Sequence, residues 1–183
     1  MDFPDELERI ASVAETFARP DERVAGILAA DTIQHGRVYL CAYERPDAHA
    51  WLAFGAGGEP LASRDAVREA AQLAAMCEVA EEAAGGGDLE ELRARLRELR
   101  ETDAPAGIDE AEEAARALAE TLEPEPRLAT TAYLDRLGAA ARRLEQALGD
   151  AGGSPFAAAM QQALPAVEEL AADVERTYKG PLA

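Results

Sequence analysis

The sequence predicts an α+β fold that is predominantly helical. Three observations carry that expectation. Apolar residues recur at three- and four-residue spacing near the N-terminus and throughout the C-terminal two thirds. A period-two pattern occupies only the stretch between about 22 and 62, broken by turns too short for parallel crossovers. Glycine and proline interrupt the helical pattern every two to four turns, so the helices are separate and not one long coiled coil. The expected architecture is an N-terminal helix and a small three-stranded antiparallel sheet, followed by about five helices forming a bundle. Residues 1–62 form the helix-plus-sheet part and residues 63–183 a bundle packed on it, as one continuous domain.

The elements follow in order. Pro4 fits the first turn of a helix capped by Asp2 or Phe3. Leu7, Ile10, Ala14 and Phe17 give that helix one apolar stripe, and Arg19-Pro20 ends it. Val24 to Leu28, Val38 to Glu44 and His49 to Phe54 read as strands, separated by turns at 31–37 and 45–48. Leu61 adds a short return strand. Ser63 caps a helix that carries Val67, Ala70, Ala74 and Cys77 on one face and runs to Gly85-Gly86-Gly87. Asp88 and Glu91 resemble a capping box ahead of Leu89, Leu92, Leu96 and Leu99. Pro105 and Gly107 stop that helix. Asp109 caps the next, which bears Ala111, Ala115, Leu118 and Leu122. Thr130 or Thr131 opens a fifth with Leu134, Leu137, Ala141, Leu144 and Leu148. Ser154 and Pro155 begin the last, whose Phe156, Met160, Leu164, Val167, Leu170 and Val174 are expected to face inward, with Pro165 as a kink.

Composition limits the function. The chain holds 36 acidic and 18 basic residues among 183, a net charge of −18. Residues 1–62 carry −6 and residues 63–183 carry −12, so neither part is a basic arm. Such a surface repels phosphate backbones and anionic lipid, and neither nucleic acid nor membrane is an expected partner. Two cysteines without a CxxC spacing fit a reducing compartment. The acidic N-terminal stretch contains no apolar run, and no run reaches the roughly 20 residues that span a bilayer. The expected location is the cytoplasm. Much of the hydrophobic 48% is alanine, which favours helix but buries little surface, so the core is expected to be thin.

The candidate site residues are few. Tyr39, Cys41, Tyr43, His49 and Trp51 concentrate aromatic, thiol and imidazole groups in one stretch and are expected to share a sheet face. Left open, that face is a ligand-binding surface; covered, it is a second core face. A Cys41–His35 or Cys41–His49 nucleophile pair lacks an orienting group and an oxyanion site. Glu78, Glu81 and Glu82 converge on one helix turn, but no histidine follows residue 49, so the dinuclear glutamate–histidine arrangement is absent. What is left there is a weak carboxylate-only Mg²⁺ or Ca²⁺ site set against a solvated helix face. The scattered Cys and His residues exclude zinc. Gly55, Gly57 and Gly58 superficially resemble a phosphate loop, yet Pro60 and Glu59 spoil it, and a hairpin turn is expected. Arg93, Arg95, Arg97 and Arg100 form a basic cluster neutralised by Glu91–Arg95 and Arg97–Glu101 pairs. No cofactor is expected.

Two functions remain. The favoured one is a non-catalytic protein-interaction or regulatory module, acting as a homodimer through leucine- and alanine-rich helices, with a further protein partner in reach. The alternative is a small-molecule binder or enzyme using the Tyr39/Cys41/His49/Trp51 face. An enclosed pocket lined by those residues would favour the second, and an exposed apolar helix face the first.

Overall fold

The computed structural model describes residues 2–85, 88–103, 106–149 and 155–181. It is α+β and 62% helical. Six helices and three long strands follow the expected order: α1 (Phe3–Thr16), β1 (Arg23–Thr32), β2 (Gly36–Arg45), β3 (Ala48–Gly55), α2 (Arg64–Gly85), α3 (Asp88–Asp103), α4 (Ile108–Leu122), α5 (Thr131–Leu148) and α6 (Pro155–Arg176). A fourth strand, β4 (Leu128–Ala129), stands between α4 and α5 and pairs in parallel with Ala29 and Ala30 of β1. The expectation that all strand lies between 22 and 62 is therefore corrected. Two residues held by main-chain pairing alone leave no periodic signature.

The chain divides into two compact units. One comprises Met1–Ala75, Pro126–Thr130 and Pro165–Ala183, and the other Met76–Glu125 and Thr131–Leu164. The divisions fall inside α2 and α6, at 75/76 and 164/165.

In the first unit the sheet order is β3-β2-β1-β4. Three residues, 33–35, connect β1 to β2, and Pro46-Asp47 alone connect β2 to β3. Residues directly opposite in an antiparallel pair point to the same face. Tyr39, Cys41 and Tyr43 therefore share a face with Phe54, Leu52 and Ala50, their partners on β3. α1 lies over this face: Ile10 and Ala14 join Ala29, Tyr39, Cys41, Tyr43, Leu52 and Phe54 in one core cluster, with Phe3, Leu7 and Val13 at its border. Pro4 lies in the first turn of α1 as expected, where a missing N–H is harmless, while Asp2 occupies the cap position without a side-chain cap bond.

The opposite face carries Val38 and Leu40, both fully buried, with Ala53 beside them. Ser63 Oγ accepts from the Ala66 amide at 3.3 Å and caps α2. Ala66, Val67, Ala70, Ala71 and Ala74 give α2 a buried stripe of mostly alanine, whereas the core beneath α1 is built on the large side chains of Tyr39, Tyr43 and Phe54. The outer edge of β3 is covered by its own chain. Leu61 N donates to Ala53 O, and Trp51 exchanges main-chain bonds with Thr177 and Lys179. Capping in this way removes an exposed row of amides and carbonyls.

In the second unit Ile108, Ala111, Ala114, Ala115 and Leu118 of α4 and Tyr133, Leu137, Ala141 and Leu144 of α5 are buried. Gly107, with φ at 90°, forms the N-cap of α4 in place of the expected Asp109. Asp109 lies in the first turn and pairs with Arg100 at 3.0 Å. The Asp88 side chain, Gly86, Gly87, Pro105 and Ser154 lie outside the described residues. The expected inward face of α6 is half corrected. Val167, Ala171 and Val174 are buried, but no residue from Pro155 to Ala166 is, and Leu164 is 53% exposed.

Candidate functional site

The register separates the five residues expected on one face. Trp51 is opposite Ala42 and His49 is opposite Glu44, so both lie on the face away from Tyr39, Cys41 and Tyr43. The cause is the two-residue turn. It pairs Arg45 with Ala48, and hence every odd-numbered residue of β2 with an even-numbered residue of β3. The length of the Pro46-Asp47 turn is the sequence signal that fixes this register.

Tyr39, Cys41 and Tyr43 are fully buried beneath α1. Their polar atoms are engaged at the rims of that core. At one rim the Tyr39 hydroxyl donates to Glu6 Oε2 at 2.6 Å, and Arg37 Nη1 donates to the same oxygen at 2.8 Å. Arg37 also grips Asp31 with two parallel bonds of 2.8 and 3.0 Å. The Tyr39 and Arg37 hydrogen bonds hold the Glu6 carboxyl below its ordinary value. Burial, reinforced by Glu6, pushes the Tyr39 phenol up to about 12. At the other rim the Tyr43 hydroxyl donates to Ala14 O at 2.8 Å. Lys179, the only lysine of the chain, places its ammonium 3.2 Å from the Tyr43 ring centre, 2.9 Å from Phe17 O and 2.8 Å from Glu22 Oε2.

Cys41 between these rims is a poor nucleophile. Burial pushes its thiol up to about 12, and the nearby Lys179 charge only partly opposes this. A thiolate is the reactive form. His49 is on the other face, with Nε2 2.7 Å from Asp173 Oδ2 on α6. His35 sits in the β1–β2 turn, 3.8 Å from Glu69. Neither imidazole stands beside the thiol.

The other motifs resolve simply. Gly55 to Gly58 form a turn in which the Gly58 amide donates to Gly55 O at 2.9 Å, while Arg9 binds the carbonyls of Ala56 and Gly57. Carbonyls turned toward an arginine are the reverse of a phosphate cradle. Glu81 accepts a hydrogen bond from the Tyr133 hydroxyl. Partial burial and the Glu81 charge together raise the Glu78 carboxyl. Among the described residues no group of three Cys, His, Asp or Glu is placed to hold a metal ion. No helix among them is long and apolar enough to cross a membrane. The α3 arginines choose other partners than spacing suggested: Arg93 pairs with Glu90 at 2.6 Å, and Arg100 with Asp109 and Glu112.

No known protein family, no curated protein and no solved structure matches this chain.

Proposed function

We propose that this protein is a non-catalytic interaction module that acts as a homodimer, docking through the first half of α6. The observation that carries this reading is the character of residues 155–166. In a chain of which 30% is charged, these twelve residues contain no charge at all, and none of them is buried. Phe156, Met160 and Leu164 recur at four-residue spacing on this half-helix, interleaved with alanines that let another helix approach closely.

Charge argues for a second copy as the occupant. Two chains of net charge −18 repel wherever their acidic surfaces face each other. Residues 131–164 hold three acidic and three basic side chains, so this stretch is neutral where the chain as a whole is not. A copy can dock there without facing like charge, and a two-fold axis closes the contact. Leu99 of α3 and Leu148 of α5 are also exposed, at 38% and 43%, but each ends its helix's otherwise mostly buried stripe. Leu164, at 53%, continues from half-buried Met160 and Phe156 with no buried residue between them. The alternative of a ligand-binding sheet face draws no support from a set of residues divided between two faces.

Light scattering across a range of concentrations tests the reading. The expected mass is twice 19.4 kDa, reverting to the monomer in Leu164→Glu with the helical circular dichroism signal retained. A monomer that persists at high concentration would overturn it.

A further inference from the structure

The cleft between α3 and α4 gathers positive charge in an acidic protein. Arg93, Leu96 and Arg97 of α3 and Glu112, Ala115 and Arg116 of α4 line it, with Glu90 beside Arg93, around a volume of about 260 Å³. The two carboxylates are already engaged. Glu90 pairs with Arg93, and Glu112 pairs with Arg100 from outside the cleft. Arg97 donates through Nε to the Arg93 carbonyl at 3.3 Å. Among the described residues, neither the terminal nitrogens of Arg97 nor the guanidinium of Arg116 meets an acceptor. Leu96 and Ala115 supply an apolar floor, 4% and 1% exposed.

We propose that this cleft binds a small organic oxyanion, a carboxylate or phosphate group carried on an apolar body. The guanidinium fork presents parallel N–H donors at the spacing of two carboxylate or phosphate oxygens. The terminal nitrogens of Arg97 and the guanidinium of Arg116 supply donors from facing helices, while Arg93 stays paired with Glu90. The floor accommodates the non-polar part of the ligand, as in ordinary small-molecule sites. The two guanidinium groups of Arg97 and Arg116 that face one cleft repel each other, and an anion between them relieves that repulsion. A polyanion such as nucleic acid would extend over the acidic surroundings, whereas a small anion stays within about 8–10 Å of the arginines, inside the screening length. This site is independent of the α6 surface.

The test is a calorimetric titration of the full chain at constant ionic strength, with inorganic phosphate in one arm and glutarate in the other. Saturable one-to-one binding is expected in at least one arm, and the tighter arm identifies the anionic group. The double variant Arg97→Gln, Arg116→Gln should bind about tenfold or more weakly, the scale on which charge-assisted hydrogen bonds count. The control Arg64→Gln, Arg142→Gln removes equal charge at exposed sites elsewhere and should bind as the parent does. Circular dichroism confirms that both variants fold. Absence of saturation in both arms overturns the proposal. So does an equal loss in the two double variants, which would mean diffuse attraction and no built site.

Discussion

Lys179 shows how much one side chain holds together. Its ammonium satisfies the last-turn carbonyl region of α1 through Phe17 O, lies against the Tyr43 ring and neutralises Glu22, whose side chain is 1% exposed. Removing Lys179 leaves buried Glu22 with the longer Arg45 contact at 3.7 Å as its remaining cation, at a cost of about 2–3 kcal/mol, below that of a fully stranded charge. Lys179→Met is expected to lose about that much in urea unfolding, while adding Glu22→Gln recovers part of it; a loss under about 1 kcal/mol would show the pair to be screened like a surface one. The same contacts set the acid response. Burial opposes ionisation of Glu22, but hydrogen bonds from Lys179 and the Arg19 amide hold its carboxyl below the ordinary value, as Tyr39 and Arg37 do for Glu6. Groups with depressed folded pKa contribute stability that is complete above their unfolded value, near 4.5, and lost as pH falls through the folded one. Tyr39 and Cys41, both raised to about 12, impose the opposite limb. Their unfolded forms ionise first, and stability declines above about pH 9. Unfolding midpoints from acid to alkaline pH should trace both limbs, with Glu6→Gln flattening the acid one. An unchanged acid slope in that variant would remove Glu6 from the explanation.

At the scale of elements, periodicity told most of the story and pairing told the rest. The three strands were legible because Val38, Leu40 and Ala42 alternate with Tyr39, Cys41 and Tyr43, and because turn residues bound each run. Alternation sorts residues within one strand; it says nothing of which set meets which set across a turn. Alternation therefore groups Tyr39, Cys41 and Tyr43, but it cannot show that His49 and Trp51 lie on the opposite face. β4 was illegible because two residues in parallel pairing have no period. The α6 stripe was legible, but its burial was not: Phe156, Met160 and Leu164 repeat as regularly as Val167, Ala171 and Val174, and only the fold decides which of them is covered. Burial then sets the cost of mutation. Leu137 on α5 is fully buried, and Leu137→Ala is expected to cost about 2–4 kcal/mol through lost transfer energy and the cavity left behind. Leu148, at the end of the same helix and 43% exposed, should cost under about 0.5 kcal/mol on the same change. Equal costs in chemical denaturation would contradict the packing described.

For the whole molecule, charge is the dominant property. A net −18 over 183 residues works against compactness through self-repulsion. Raising sodium chloride from about 0.01 M to about 0.15 M shortens the Debye length from about 30 Å to about 8 Å. The thermal midpoint is expected to rise by several degrees over that range. A midpoint that falls would show that the exposed ion pairs, such as Arg143–Glu113 and Arg68–Glu168, outweigh the repulsion.

The closure of the β3 edge by Thr177 and Lys179 has a consequence for biosynthesis. Three strands of the sheet are complete once the ribosome has passed Gly55, yet the residues that seal the edge lie more than a hundred positions downstream. At about 5–20 residues per second, translation takes roughly 6–25 s to cover that distance. For all of that time the amides and carbonyls beside Trp51 stand open on the nascent chain, next to other copies emerging from the same message. The acidity that burdens the finished protein is an advantage at this stage, because it keeps neighbouring nascent chains apart until Lys179 emerges and closes the edge.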